Sequence, residues 1–422
     1  METKRVAIVG YNRIPFARIN TAYTEKSNQD LLTAALNGMI ERCNLQGKLL
    51  GEVAGGAVIK HISESNLIRE SVMETALDPA TPGCDLQQAC DTGIEAAIYI
   101  GNKIALGQIE SGIACGVEAM SNIPFETSVR LRKALLKANK EKSVFGKIKQ
   151  LLNPKLKDWM PVPYKGQEPK TGLVMGGHTE ITAKYYEISR EDQDLLAFKS
   201  HQNMAKAYDE GFFDDMISPA FGLDKDNNLR RDTSLEKLAQ LKPAFDKQNG
   251  TLTAGNSTPF TDGASAILLA SEEWAKENNL PVLAYITYAE VAGIEYVENK
   301  QNLLLAPVFA ADRMLKKAGM NLEDFDYYEI HEAFAAQVLA TLKIWENDDV
   351  AKKFGLENAL GKIDRNKLNV KGGSLAAAHP FAATGGRIIA TLAKLLDQKG
   401  SGKGFISICA ARGQGVTMIL EK

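Results

Sequence analysis

Four side chains could carry chemistry: Cys90, His331, His379 and Cys409. A cysteine thiolate attacks carbon, and an imidazole can take the thiol proton. Cys90 ends the segment DLQQAC, immediately before DTGIEAAIYIGNKIALG. The apolar spacing of that run predicts a helix from Ile94 to about Leu106. A cysteine at a helix N-terminus meets unpaired backbone N–H groups and the positive end of the dipole, and both favour thiolate. The same donors suit an oxyanion formed on an attacked carbonyl. His379 lies in GGSLAAAHPFAATGGR, a loop of small side chains where a ligand can approach the backbone closely. Cys409 ends the strand-like GFISIC, and His331 opens HEAFAAQ directly after DYYEI. All four fall at strand ends or strand-to-helix turns, the side on which α/β sheets hold ligands. One thiol attacks, a histidine takes its proton, and a second acid or base serves the carbon or leaving group.

Taken singly, each residue has a plainer reading. A cysteine before an apolar helix is more often core packing, and a lone histidine is usually structural. Cys115 sits in the apolar run SGIACGVEAM and reads as core, and Cys43 has no partner signal. Cys84 and Cys90 lack the spacing of a redox pair, and no Cys/His cluster has zinc-ligand spacing. No metal is expected.

The elements around these residues alternate strand and helix. Strands are expected at Lys4 to Gly10, Ser111 to Cys115, Asp326 to Ile330 and Phe405 to Cys409, and in VLAYITYAEVAG, while Val53 to Ile59 reads as strand or loop. Helices are expected at Asn28 to Arg42, Ala306 to Ala318, Glu332 to Leu342 and Gly385 to Leu396. Such alternation predicts mixed α/β layers with largely parallel sheets. Two similar halves point to an internal duplication, joined near 270–280 at SEEWAKENNLP. The stretch from about 122 to 250 has no counterpart in the second half and reads as an insertion.

The chain has 422 residues, 45% hydrophobic and 24% charged, which excludes disordered, collagenous and disulfide-scaffold classes. A net charge of −2 gives no sign of a nucleic-acid partner. Five scattered cysteines fit a reducing compartment, no signal peptide is read, and the longest apolar stretches fall short of a membrane span. The expected location is the cytoplasm. Within the insertion, Arg130 to Lys157 carries ten Lys and Arg against the single acid Glu141, with leucines, Val144, Phe145 and Ile148 at roughly helical spacing. A solvated helical face, an anionic-ligand or partner surface, and a membrane-surface helix over 130–157 all fit that pattern.

The segments QQACDTG, CGVEAMSNIPF, TAGNSTPFTDGASA, HEAFAAQ, NVKGGSLAAAHPFAATGGR and CAARGQG, in this order, resemble the thiolase family over essentially the whole chain. The resemblance implies an α/β fold of two duplicated halves in five layers, α-β-α-β-α, with an inserted loop domain. The corresponding division is 1–121 with 251–275, then 276–422, with 122–250 inserted. It implies that Cys90 is the acylated nucleophile, His379 its base, and Cys409 the thiol that moves a proton on the substrate α-carbon. Backbone N–H groups of Cys90 and Ala411 would form one oxyanion site, with Ala411 where glycine is usual. His331 stands where many thiolases have Asn, and HEAF is similar to the thiolase subunit of fatty-acid β-oxidation complexes. There His331 would hold the thioester oxygen with His379. Thr258 and Met175 would lie near substrate and CoA. CoA is a co-substrate, and no permanently bound cofactor is implied.

The activity implied is cleavage of a 3-ketoacyl-CoA by CoA, to acetyl-CoA and a shortened acyl-CoA. The alternatives are a short-chain acetyl-CoA acetyltransferase, a ketosynthase, and a non-catalytic lipid carrier or membrane-docking relative. Expected partners are a second copy of the chain, at least as a dimer, and a hydratase/dehydrogenase subunit; peripheral membrane contact would run through the basic insertion. Asp91, beside the nucleophile, would suit a helix N-terminus but oppose a thiolate, depending on where it points.

Overall fold

The computed structural model describes residues 3–162, 164 and 166–422. Ten strands lie among them: β1 (Val6–Arg13), β2 (Ala17–Arg18), β3 (Glu52–Gly56), β4 (Gly83–Asp85), β5 (Ser111–Ala119), β6 (Thr261–Ala270), β7 (Ala284–Gly293), β8 (Tyr327–Ile330), β9 (Lys403–Ala410) and β10 (Gln414–Glu421). They run β4-β3-β5-β6-β1-β7-β10-β9-β8, with β2 paired to β6. A short β1–β7 ladder, Val6 to Ile8 against Ala284 to Ile286, joins the sheets of the two halves.

The expectation of largely parallel sheets is corrected. Only β3–β4, β3–β5 and β8–β9 are parallel; the other ladders are antiparallel. Counting strands and helices does not reveal direction. β9 and β10 are joined by a tight turn, which forces an antiparallel pair. β6 enters after the long excursion that follows β5 and runs antiparallel between β5 and β1.

Successive residues of the central strands face different cores, which explains their unbroken apolar runs. Val6 and Ile8 face the middle of the molecule, while Ala7 and Val9 face the outer helices Asn28–Arg42 and Leu67–Met73. In the second half Ile406 and Ile408 face the middle, while Phe405 and Cys409 face the side of helices Pro307–Ala318 and Ala335–Glu346. Helices Thr92–Ala105 and Thr384–Lys399 fill the middle. The result is five layers, as the resemblance implies.

Local chemistry explains the helix boundaries. Ser27 and Asp30 form a reciprocal capping box that starts Asn28–Arg42. Thr384–Lys399 is buried without interruption from Thr384 to Leu396 and stops at left-handed Gly400. Its Ile388, Ile389, Leu392 and Leu396 are fully buried, each worth about 1.5–3 kcal/mol. That gain outweighs the cost of burying Lys394, which keeps a 2.6 Å bond to the Phe212 carbonyl and an ion pair with Asp215.

Between β5 and β6 the described chain adds no strand to the sheet. The excursion is tied back by a buried fork: both Arg13 guanidinium nitrogens donate to Asp226 at 2.6 Å. Asp226 also accepts from Tyr208 and the Phe16 N–H. Among the described residues, no helix is long and apolar enough to cross a membrane.

The two middle helices touch at their N-termini through glycine. A methyl at Gly93 would stand 2.6 Å from the Ala382 carbonyl oxygen, and one at Gly385 would overlap the Ile94 backbone nitrogen. Gly385→Ala should therefore push the helices apart, cost about 1–3 kcal/mol in denaturant unfolding, and lower the alkylation rate and activity of Cys90 together. Unchanged stability and activity would show that the close approach is not needed.

Candidate active site

Cys90 sits at the turn between β4 and helix Thr92–Ala105, two residues before the helix begins. Ala89 holds a left-handed φ of 49°. Thr92 stabilises this turn: its hydroxyl donates to the Ala89 carbonyl at 2.7 Å and accepts the Gln88 N–H at 2.9 Å. His379 follows Ala378, another left-handed alanine at φ 74°. Such conformations cost of order 1–3 kcal/mol each and persist only where the surroundings enforce them. Here they aim Cys90 and His379 at one another, with Cys90 Sγ 3.1 Å from His379 Nε2. Thr384 Oγ1 lies 2.6 Å from His379 Nδ1. As acceptor of the Nδ1–H, it leaves the Nε2 lone pair facing the thiol, as a base requires.

Cys90, His379 and Cys409 all line one cavity of about 470 Å³. Met175, Thr258 and Ala411 line it too, with Phe260, Phe334 and Phe381 among its apolar walls. His331 is fully buried and is not part of the wall; it lies behind His379, ring centroids 4.1 Å apart. Arg387 donates to Ser374 Oγ at 3.0 Å, which leaves the serine hydroxyl hydrogen for His331 Nδ1 at 2.8 Å. The His331 proton is then on Nε2, a buried nitrogen with no hydrogen-bond partner among the described residues. Ser374 and Arg387 flank the small-residue loop in sequence, but the residues alone did not reveal this link.

The electrostatics differ from the sequence expectation. Backbone N–H groups of Ala411 and Cys90 do favour the thiolate, but burial outweighs them and pushes the Cys90 thiol up. Asp91 adds to that rise. Its side chain makes no cap bond, is wholly buried, and has no hydrogen-bond partner for either oxygen among the described residues. Burial also holds the Asp91 carboxyl itself well above the usual carboxylate range, so Asp91 opposes the thiolate only once it ionises, and it does not serve the helix end. Burial likewise raises the Cys409 thiol, with Cys90 and Asp91 contributing. Burial lowers His379 to about 3, assisted by Arg387. The resting pair is thus a neutral thiol and a neutral imidazole.

A second cavity, about 540 Å³, shares Phe245, Thr258 and Pro259 with the first. Arg18, Arg230 and Lys237 line it together with Leu238 and Leu241. Among the described residues no group of three or more His, Cys, Asp or Glu side chains is placed to hold a metal.

Two measurements follow from the neutral pair. The acid limb of kcat/KM should lie below the ordinary histidine range, because His379 stays unprotonated down to about pH 3. Asp91→Asn should move the pH profile of Cys90 alkylation to lower pH over the range in which the Asp91 carboxyl is ionised; an unmoved or raised profile would clear Asp91 of that role.

Comparison with known proteins adds an independent line. Residues 6–273 match the family model "Thiolase, N-terminal domain" and residues 280–422 match "Thiolase, C-terminal domain". A Vibrio cholerae protein named 3-ketoacyl-CoA thiolase is 42% identical, over 99% of this chain and 97% of its own. A Yersinia pestis protein of the same name is 39% identical, over 99% of this chain and 97% of its own. Human mitochondrial 3-ketoacyl-CoA thiolase superposes with a TM-score of 0.82 at 27% identity, covering 99% of each chain. Bacillus anthracis acetyl-CoA acetyltransferase gives 0.81 at 31% identity, covering 100% of this chain and 99% of that one. Five layers, a thiol and imidazole in contact, and family matches over both halves lead to one conclusion: the chain belongs to the thiolase family of acyltransferases.

Proposed function

We propose that this chain is a 3-ketoacyl-CoA thiolase of fatty-acid β-oxidation, working through an acyl-enzyme on Cys90. The observation that carries the reading is the 3.1 Å contact of Cys90 Sγ with His379 Nε2, at a cavity that Cys409 also lines. The names of the full-length curated relatives support the substrate class.

The thiol of Cys90 gives its proton to His379 as the sulfur attacks the 3-keto carbon. The resulting oxyanion is held by the N–H groups of Cys90 and Ala411, backbone donors that also favour negative charge on the sulfur. The Cα–Cβ bond then breaks. Acetyl-CoA leaves as its enolate, His331 and His379 steady the thioester oxygen, and Cys409 delivers a proton to the α-carbon. A second CoA gives its thiol proton to Cys409 and attacks the acyl group. Cys90 leaves as thiolate and recovers its proton from His379, so both groups return to their starting states.

The second cavity suits CoA: Arg18, Arg230 and Lys237 can meet phosphates, and Leu238, Leu241 and Phe245 can cover an adenine. The thioester arm would then pass Thr258 and Met175 towards Cys90. In this reading 1–121 with 251–275 supplies the nucleophile and 276–422 supplies Cys409. The loop domain, 122–250, supplies most of the CoA groove.

Cys90→Ala should lower CoA-dependent cleavage by several powers of ten for acetoacetyl-CoA and for a long-chain 3-ketoacyl-CoA alike. The wild-type protein should prefer the long chain. Activity confined to acetoacetyl-CoA would favour the acetyltransferase, and no cleavage of either would overturn the catalytic reading.

The insertion carries a further contact, with an anionic lipid surface. Helices Val129–Lys140 and Val144–Leu151 hold most of the ten basic residues. No residue of the second helix is buried, and Val144, Phe145, Leu152 and Leu156 are each at least 74% exposed. An apolar patch rimmed by lysines has the chemistry of interfacial binding. The protein should sediment with phosphatidylglycerol vesicles and not with phosphatidylcholine vesicles, and Phe145→Ser with Leu152→Ser should weaken binding at least about tenfold. Equal binding to both vesicles, or none, would refute the contact.

A further inference from the structure

We propose that Glu168 is a positioning residue for the nucleophile: it locks the turn after β9 so that the Ala411 N–H faces Cys90. The inference rests on the acyl-enzyme reading and adds a residue that reading does not use.

Three chain segments meet at this point. Glu168 comes from the loop insertion, Arg412 from the β9–β10 turn, and Cys90 from the first half. Glu168 is fully buried at the cavity wall. One carboxylate oxygen accepts the Arg412 backbone N–H at 3.0 Å, and the other accepts the Arg412 guanidinium at 2.6 Å. Tyr296 donates its hydroxyl to that second oxygen at 3.0 Å. Glu168 is itself anchored: its N–H donates to the Leu173 carbonyl and its carbonyl accepts the Gly172 N–H, both at 2.8 Å.

What these bonds hold is an unusual piece of backbone. Arg412 and Gly413 are both left-handed, at φ 68° and 66°. Gly413 adopts that region at little cost, whereas Arg412 does not. The carboxylate offsets the cost by gripping Arg412 at its main chain and at its side chain. Ala411, one residue earlier, has an ordinary φ, so it needs no glycine. Ala411 lines the cavity beside Cys90, and Gln88 bonds Gln414 across the same point, so with the Arg412 N–H engaged by Glu168 the preceding N–H, that of Ala411, is the one the turn can offer to the sulfur. A change of one or two tenths of an ångström is tolerable in packing; at an oxyanion donor it reduces the interaction that matters most in the transition state.

The test is Glu168→Gln: three donors point at the carboxylate, and an amide meets them with the least conflict by turning its NH2 to the oxygen that accepts only the Arg412 backbone N–H, which breaks that bond. We expect kcat to fall roughly ten- to hundredfold, with the KM for CoA changed less than about threefold. The pH profile of Cys90 alkylation by iodoacetamide should move to higher pH, because the thiolate loses a donor. A purely structural role would lower the melting temperature without moving that profile. Arg412→Gln, at a half-exposed side chain, keeps the main-chain bond and should show a smaller shift in the same direction. A folded Glu168→Gln protein with wild-type kcat and an unmoved profile would overturn the proposal. If that variant does not fold, an unmoved profile in Arg412→Gln would do so. Intact-mass detection of acylated Cys90 in the wild type, incubated with a 3-ketoacyl-CoA and no CoA, separates the two readings. Its absence would count against the acyl-enzyme, while the alkylation profiles would still report on Glu168.

Discussion

The contact between Cys90 and His379 is the constraint around which the rest of the molecule is arranged. The two residues are 289 positions apart, and neither can reach the other from an isolated half. Proximity comes from two buried helices that meet where Gly93 and Gly385 remove the side chains between them. Everything outside that seam serves to hold it. The sheets press on both sides of the helices, and the outer helices cover the sheets. Left-handed alanines at 89 and 378 then turn the backbone so that the thiol and the imidazole face the gap.

The same burial that builds the seam sets its chemistry. Removing Cys90, Cys409 and His379 from water favours their neutral forms, and the few backbone donors at the sulfur do not reverse this. In the proposed reaction, charge then develops only while substrate is bound. That is electrostatic preorganisation built by packing, without a permanent ion pair.

Much of this was legible in the sequence for physical reasons. Ser27, Asp30 and the following apolar period mark Asn28–Arg42 because capping is local. Cys90 and His379 could be singled out because small residues and a helix start flank each of them. Strand direction was not legible, since the period of an apolar run is the same in parallel and antiparallel sheets. Nor was the sign of the shift at Cys90: the helix end is local, but the burial and the inward carboxyl of Asp91 are tertiary. Glu168 was invisible for the same reason, because its partner Arg412 lies 244 residues away and nothing near either one marks the pair.

The neutral resting thiols also bear on durability. Peroxide and disulfides react with thiolates, and a sulfur that remains protonated is a slower target for them. Cys90 and Cys409 share one cavity, where a single oxidative event could otherwise disable the protein permanently. Keeping both largely protonated slows such reactions in the idle protein, and the partly exposed Cys90 is the sulfur that an oxidant reaches first.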